Sequence, residues 1–326
     1  MTTYKEIKGT QIEVVSSDPS NPVEGQVWYN STDQAVKGQA TTSVGAWATG
    51  NNMNDARHTL GGAGTTTAAL AAGGRTPGNN RVKAETWNGT SWTSQGNMNN
   101  GKYGGGASGT VTAGLAFGGE PPGGGGADRD HTETFNGTNW TEVNDLNTGR
   151  ESIRGAGTQP STIAAGGGSP NVLTETWNGT NWTEVNDLNT GRASGSVSGA
   201  DSTAVIYIGS GSPGANTESW NGTNWTEVND LNTARSSTAS GGPYTSALCF
   251  GGSPVPGGNG ALTEAWNGTN WTEHGDLNTA RDSGGGAGTG NTSGLYFGGR
   301  NEPTIYASTE EFTGAGAAVT RTFTDS

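Results

Sequence analysis

Six glutamates and six basic residues recur at matched places along the 326-residue chain, and a carboxylate set against Lys or Arg suits either proton transfer or a buried ion pair. Glu85, Glu133, Glu175, Glu218, Glu264 and Glu310 each stand two residues before an aromatic side chain. Arg57, Lys102, Arg150, Arg192, Arg235 and Arg281 each stand ten residues after a Trp. An enzyme needs one such pair. Six copies read instead as a structural device, an ion pair between neighbouring repeats or bonds from the basic side chain to backbone carbonyls.

Other reactive groups are sparse. His58, His131 and His274 fall at non-equivalent places, and no HxxxH or CxxC spacing supports zinc. Cys249, in ALCFGG, reads as a small buried strand residue rather than a reactive thiol. Asp145, Asp187 and Asp230 sit in Asn-Asp-Leu-Asn, where a capping role at the turn into the next repeat is expected rather than calcium binding. Asn88, Asn178, Asn221 and Asn267 form sequons that read as turn chemistry. No catalytic set, cofactor or metal is expected.

Composition narrows the class further. Hydrophobic residues are 29% and Gly is 59 of 326, too little aliphatic material for a layered α/β core, yet 11 Trp supply large apolar area. A net charge of −13 without a Lys/Arg cluster argues against nucleic acid as a partner. No apolar run is long enough to span a bilayer, and the opening MTTYKEIKGTQ lacks the apolar stretch of a signal peptide, so folding in a cytoplasm is expected.

The positioning elements follow from the repeat. Trp47, Trp92, Trp140, Trp182, Trp225 and Trp271 each precede a Met or Leu by six residues and the basic residue by ten. Successive basic residues are 45, 48, 42, 43 and 46 apart, a period of propellers or solenoids. Each unit divides into four strand signals: a run of small residues, an apolar run ending in Gly, TETW or a variant, and NWTEV. Asn-Gly between the third and fourth signals predicts a tight hairpin of type I′, with positive φ at both residues. Small residues suit crowded strands near an axis, and the aromatics suit the space between sheets.

The sequence therefore predicts an all-β, six-bladed propeller of four-stranded antiparallel blades. Trp47 precedes every other element, so the segment Val44 to Thr49 is expected to complete the last blade and close the ring. That closure leaves residues 1–40 and the tail 314–326 outside the ring, although VTRTFT at 319–324 competes for the same edge, and a blade from residues 22–48 would raise the count to seven. Residues 1–40 are expected to form an arm with a hairpin, and 41–326 the propeller.

Length variation is concentrated between the second and third strands, on the face that also carries the blade-to-blade connections. The longest loops are 73–85, 118–133 and 298–310. They define a candidate binding rim of Arg75, Asn80, Arg81, Asp128, Arg129 and His131.

Gly251-Gly252, Trp266, Trp271 and Ala280-Arg281, with equivalents in the other units, resemble kelch repeats over residues 44–313; blade four departs with Gly209-Ser210-Gly211. The resemblance implies a kelch-like fold and leaves function open among adaptors, lectin-like binders and a few enzymes. The copper ligands of galactose-oxidase-like propellers and the SxDxGxxW box of sialidase-type ones are missing. The segment EGQVWYN at 24–30 resembles segments of structural and tail-associated proteins of bacteriophages, marine ones above all. That implies a virion component, anchored to other virion proteins through residues 1–40, acting in host attachment on a tail or fibre or as capsid decoration. Its partner would be a host surface glycan or receptor, with self-association open. A kelch adaptor or carbohydrate binder outside any virion is the alternative.

Overall fold

The computed structural model describes residues 12–20, 26–41, 45–79, 81–122, 129–169, 171–211, 214–254, 260–314 and 318–323. Every regular element among them is a strand. The chain forms two compact units, Met1–Gly45 with Gly314–Ser326, and Ala46–Thr313.

The larger unit is a β-propeller built from six four-stranded antiparallel sheets. Blade 1 is Gly61–Thr65, Ala68–Ala72, Ala84–Trp87 and Trp92–Ser94. Blade 2 is Gly106–Gly109, Gly114–Phe117, Thr132–Phe135 and Trp140–Val143. Blade 3 is Arg154–Thr158, Ser161–Ala165, Thr174–Trp177 and Trp182–Val185. Blade 4 is Ser196–Asp201, Ala204–Ile208, Thr217–Trp220 and Trp225–Val228. Blade 5 is Ala239–Gly241, Leu248–Phe250, Thr263–Trp266 and Trp271–Glu273. Blade 6 is Gly285–Gly290, Ser293–Phe297 and Thr309–Thr313, completed by Ala46–Gly50 with Trp47 opposite Phe312.

First strands pack against one another around an axial channel, which explains their small residues. A Cβ on Gly62 would lie 2.5 Å from the Gly286 backbone nitrogen of the neighbouring blade. The bulk is carried farther out. Trp182 of blade 3 meets Phe117 of blade 2 at 5.0 Å, Trp47 meets Phe250 at 5.1 Å, and Trp92 meets Phe297 at 4.8 Å. At about 25 cal/mol per Å² and roughly 150–250 Å² per ring, each buried aromatic contributes about 4–6 kcal/mol, which offsets the shortage of aliphatic residues. Met53, Met98, Leu146, Leu188, Leu231 and Leu277, the apolar residues six after each Trp, are all buried.

Three expectations need correction. Only the Gly of each Asn-Gly turn has positive φ, for example 91° at Gly89 and 96° at Gly137, so these are not type I′ turns. Four residues separate the paired Trp87 and Trp92, and Asn88 stays at negative φ because its Oδ1 accepts the N–H groups of Thr90 and Ser91. The stretch at 318–323 does not compete for the last blade. Ala318–Phe323 pairs with Ala35–Thr41, so the tail lies outside the propeller, as closure by the Trp47 segment implies, and the propeller bounds shrink from 41–326 to 46–313. Nor do residues 26–41 form a seventh blade, since their strands belong to that separate sheet; residues 22–25 and 42–44 lie outside the described ones.

The smaller unit is one sheet in the order Glu13–Val15, Val27–Asn30, Ala35–Thr41, Ala318–Phe323, with the first pair parallel. The hairpin expected before the ring is its centre. Asp18 accepts bonds from Lys37 Nζ at 2.8 Å, Asn30 Nδ2 at 2.8 Å and Trp28 Nε1 at 3.0 Å, and these, Lys37 foremost, pull its carboxyl down to about 2.

Candidate functional site

The repeated acid–base set is scaffold. Arg57 reaches Glu85 at 3.1 Å, Arg150 reaches Glu175 at 3.3 Å, Arg235 reaches Glu264 at 2.9 Å and Arg281 reaches Glu310 at 3.1 Å, all buried. Arg192 pairs with Glu218 in the same way. Lys102 stands 4.0 Å from Glu133 and donates to the His131 carbonyl at 2.8 Å; burial pushes its ammonium down to about 8. Arg57 and Arg235 also donate to backbone carbonyls, Lys83 and Leu262 at 2.6 Å each, so both readings of the device hold.

One partner was not anticipated. The Asn seven residues after each Trp donates its backbone N–H to the next blade's glutamate, as Asn54 does to Glu85 at 2.8 Å and Asn189 to Glu218 at 2.9 Å. Its position is invariant across all six frames, which is the signal sequence reasoning passed over. Asp145, Asp187 and Asp230 accept the N–H of Thr132, Thr174 and Thr217, capping the third strand of their own blade rather than the turn into the next.

Two residues past each basic side chain the backbone turns left-handed. Thr59, Gly104, Ser152, Ser194, Ser237 and Ser283 have φ between 54° and 68°. For residues with a Cβ this costs of order 1 kcal/mol each. The conformation is held by a belt of hydrogen bonds around the channel mouth. Thr59 donates to Ser283, Gly104 to Thr59, Ser194 to Ser152, Ser237 to Ser194 and Ser283 to Ser237, at 2.5–3.2 Å.

Just outside this belt the residue after each basic side chain faces the residue after the second strand's glycine turn. His58 bridges Arg75, Tyr103 bridges Glu120 and Asp282 bridges Arg300. Arg300 lies 3.4 Å from Asp282. His58 is buried, and that burial, aided by the charges of Arg300 and Arg75, depresses its imidazole to about 4. Arg129 links Glu120 at 3.7 Å to Glu151 at 3.4 Å. The hydrogen bond between those two carboxyls raises Glu151 and lowers Glu120. The corresponding residues of blades 4 and 5 are Ala193 and Ser236, and their 209–216 and 251–262 segments contain no charged residue. Among the described residues, charge at the mouth is thus confined to blades 6, 1, 2 and 3.

Of the predicted rim, Arg75 is exposed and has no acidic partner among the described residues. Arg81 is buried, stacked 4.3 Å over Tyr103 and bonded to Asn79 and to the carbonyls of Glu120 and Pro121, so it fixes the blade 2 loop. Arg129 lies on the rim, held as above. His131 turns to the outer strand, with Nδ1 at 3.5 Å from both Glu142 and Asp145. Asp130, His131 and Asp145 bring ligand atoms within 4.8 Å of one another, a grouping that side chains of this kind commonly make without an ion. Asn80 and Asp128 lie outside the described residues. Sequence reasoning missed His58, Glu120, Glu151, Asp282 and Arg300, whose common signal is their place beside a basic residue or a glycine turn.

No protein-family model matches the sequence, and no curated protein matches it. A solved structure described as that of YjhT is similar, with a TM-score of 0.62 at 12% identity over 80% of this chain and 95% of its own. At that identity the likeness is one of fold, and it agrees with the propeller.

Proposed function

We propose that the chain is a non-enzymatic recognition module of a bacteriophage particle. Its kelch-like propeller presents the loop face to a host surface glycan or protein, and residues 1–40, within the smaller unit, join it to other virion proteins. One observation carries the reading: polar side chains that differ from blade to blade gather in one sector of one face, around blades 6, 1, 2 and 3, while the opposite face repeats Asn-Gly-Thr. A propeller whose scaffold is copied and whose rim is not suits selective binding. The likeness of the segment around Trp28 to phage structural proteins supports the setting. That segment is a folded strand tied to Asp18, as an attachment element would be.

The test is competition for adsorption. Full-length protein added to host cells before infection is expected to lower phage attachment, and the double variant Arg75→Glu with Arg300→Glu is expected to lose that effect. Thr138→Glu, on the Asn-Gly face, is expected to keep it. A wild-type chain that never competes defeats the recognition reading and leaves capsid decoration, which images of the particle distinguish by position.

A further inference from the structure

Arg154 breaks the pattern of the axial channel. Two cavities along the axis share one residue from each blade, Gly62, Ala107, Gly155, Val197, Ser240 and Gly286. The larger, about 410 Å³, reaches the first-to-second strand turns. The smaller, about 40 Å³, lies at the loop-face end and is lined by Arg154 together with Ser196 and Thr238. Register places Arg154 opposite Ala165, the last residue of its neighbouring strand, where the other blades have Gly61, Gly106, Ser196, Ala239 and Gly285. Among the described residues it is the one charged side chain lining either cavity.

Its donors are underused. Nε donates to the Gly195 carbonyl at 3.0 Å and Nη1 to the Ile153 carbonyl at 2.9 Å. A guanidinium has five N–H groups, so three are left without a protein acceptor among the described residues. The repeat arginines Arg57, Arg150, Arg192, Arg235 and Arg281 each face a glutamate, but no described carboxylate pairs with Arg154. Burial pushes its guanidinium below the ordinary range. The Arg154 side chain is half-buried, and a small anion beside a partly shielded cation offsets the cost of the missing counter-charge. Ser196 Oγ accepts a bond from Thr238 at 3.2 Å and is itself bonded to Cys249, so these two hydroxyls line the cavity without adding a free donor. Each first strand is also the edge of its sheet, so unpaired N–H groups face the axis.

We infer that Arg154 binds a small inorganic monovalent anion of chloride size at the loop-face end of the channel. A water needs roughly 10–15 Å³ of such space, so the smaller cavity holds one ion and little more and excludes a sugar.

Bromide is the probe. Crystals of the full chain grown with sodium bromide are expected to show one anomalous scatterer beside the Arg154 guanidinium, and crystals of Arg154→Gly, the residue type of blades 1, 2 and 6, none. In solution, replacing gluconate by bromide at constant ionic strength is expected to raise the wild-type Tm saturably. At ten times the dissociation constant the folding equilibrium shifts about 11-fold, and Arg154→Gly loses this response. Wild-type crystals without bromide at Arg154, or an identical saturable response in Arg154→Gly, would overturn the site and leave Arg154 a plug tied to two carbonyls.

Discussion

Trp182 Nε1 in blade 3 donates to Thr132 Oγ1 in blade 2 at 3.0 Å, a bond between two buried side chains on different sheets. Trp225 repeats it to Thr174 at 3.0 Å, Trp92 to Thr309 at 2.8 Å and Trp47 to Thr263 at 2.8 Å. Trp271 uses the Asn229 carbonyl at 3.1 Å instead. Trp140 Nε1 is buried without a partner, because Ala84 occupies the place of the threonine. An orphaned buried donor costs about 1–3 kcal/mol. Ala84→Thr is therefore expected to stabilise the propeller by about 1 kcal/mol, raising Tm by about 2 °C in calorimetry. Thr132→Val should move it the other way. An Ala84→Thr protein melting at or below wild type would show that Trp140 gains nothing from a hydroxyl.

The Arg192–Glu218 pair is expected to respond asymmetrically to substitution. Both side chains are fully buried, and Glu218 also accepts the Asn189 and Thr190 N–H groups. Arg192→Met leaves that carboxylate buried beside neutral donors alone, a loss of about 3–5 kcal/mol. Adding Glu218→Gln removes the stranded charge and should restore part of the loss in denaturant titration. If Arg192→Met melts like wild type, the pair is not a structural tie.

What the sequence made legible was whatever recurs with a fixed side chain. The Trp-to-basic distance, the glutamate two before an aromatic and the early Trp47 led to the blades, the buried pairs and the closure by Ala46–Gly50. Features set by backbone were harder to see. The belt through Thr59, Gly104 and the four serines depends on a left-handed conformation that Thr, Gly and Ser all adopt there, so no single letter repeats. The turn type was misread because Asn88 holds its own loop through Oδ1, an alternative that Asn-Gly does not distinguish. The pairing of Ala318–Phe323 with Ala35–Thr41 joins opposite ends of the chain, and nothing local specifies it. At the rim, long loops drew the eye to Arg81, which packing has already claimed.

His58 gives the loop face a pH dependence. Its folded value near 4 lies below the ordinary 6.5, so at intermediate pH the unfolded chain binds the proton more readily. The stability from a neutral His58 is complete above pH 6.5 and is lost as pH falls toward 4, where the proton must sit beside Arg75 and Arg300. The difference in Tm between wild type and His58→Gln is expected to be flat above pH 7 and to shift against wild type between 6.5 and 4. A constant difference across that range would contradict the depressed imidazole.

The division of the chain predicts which truncations survive. All strands of the six blades lie between Ala46 and Thr313, including Ala46–Gly50, which pairs along the whole of Thr309–Thr313. A protein of residues 46–313 is expected to fold and to melt cooperatively close to the full chain. Starting instead at residue 60 removes Trp47, which packs on Phe250 at 5.1 Å and Phe312 at 5.3 Å, and also Arg57 with its tie to Glu85. That cut leaves Thr309–Thr313 as an open edge, an invitation to aggregation. Removing only 314–326 should spare the ring and strip Ala35–Thr41 of its partner strand. Proteolysis separates these cases: a resistant core near 46–313 is expected from the full chain, and cleavage of the ring at the same rate as the smaller sheet would mean that the two units are not independently stable.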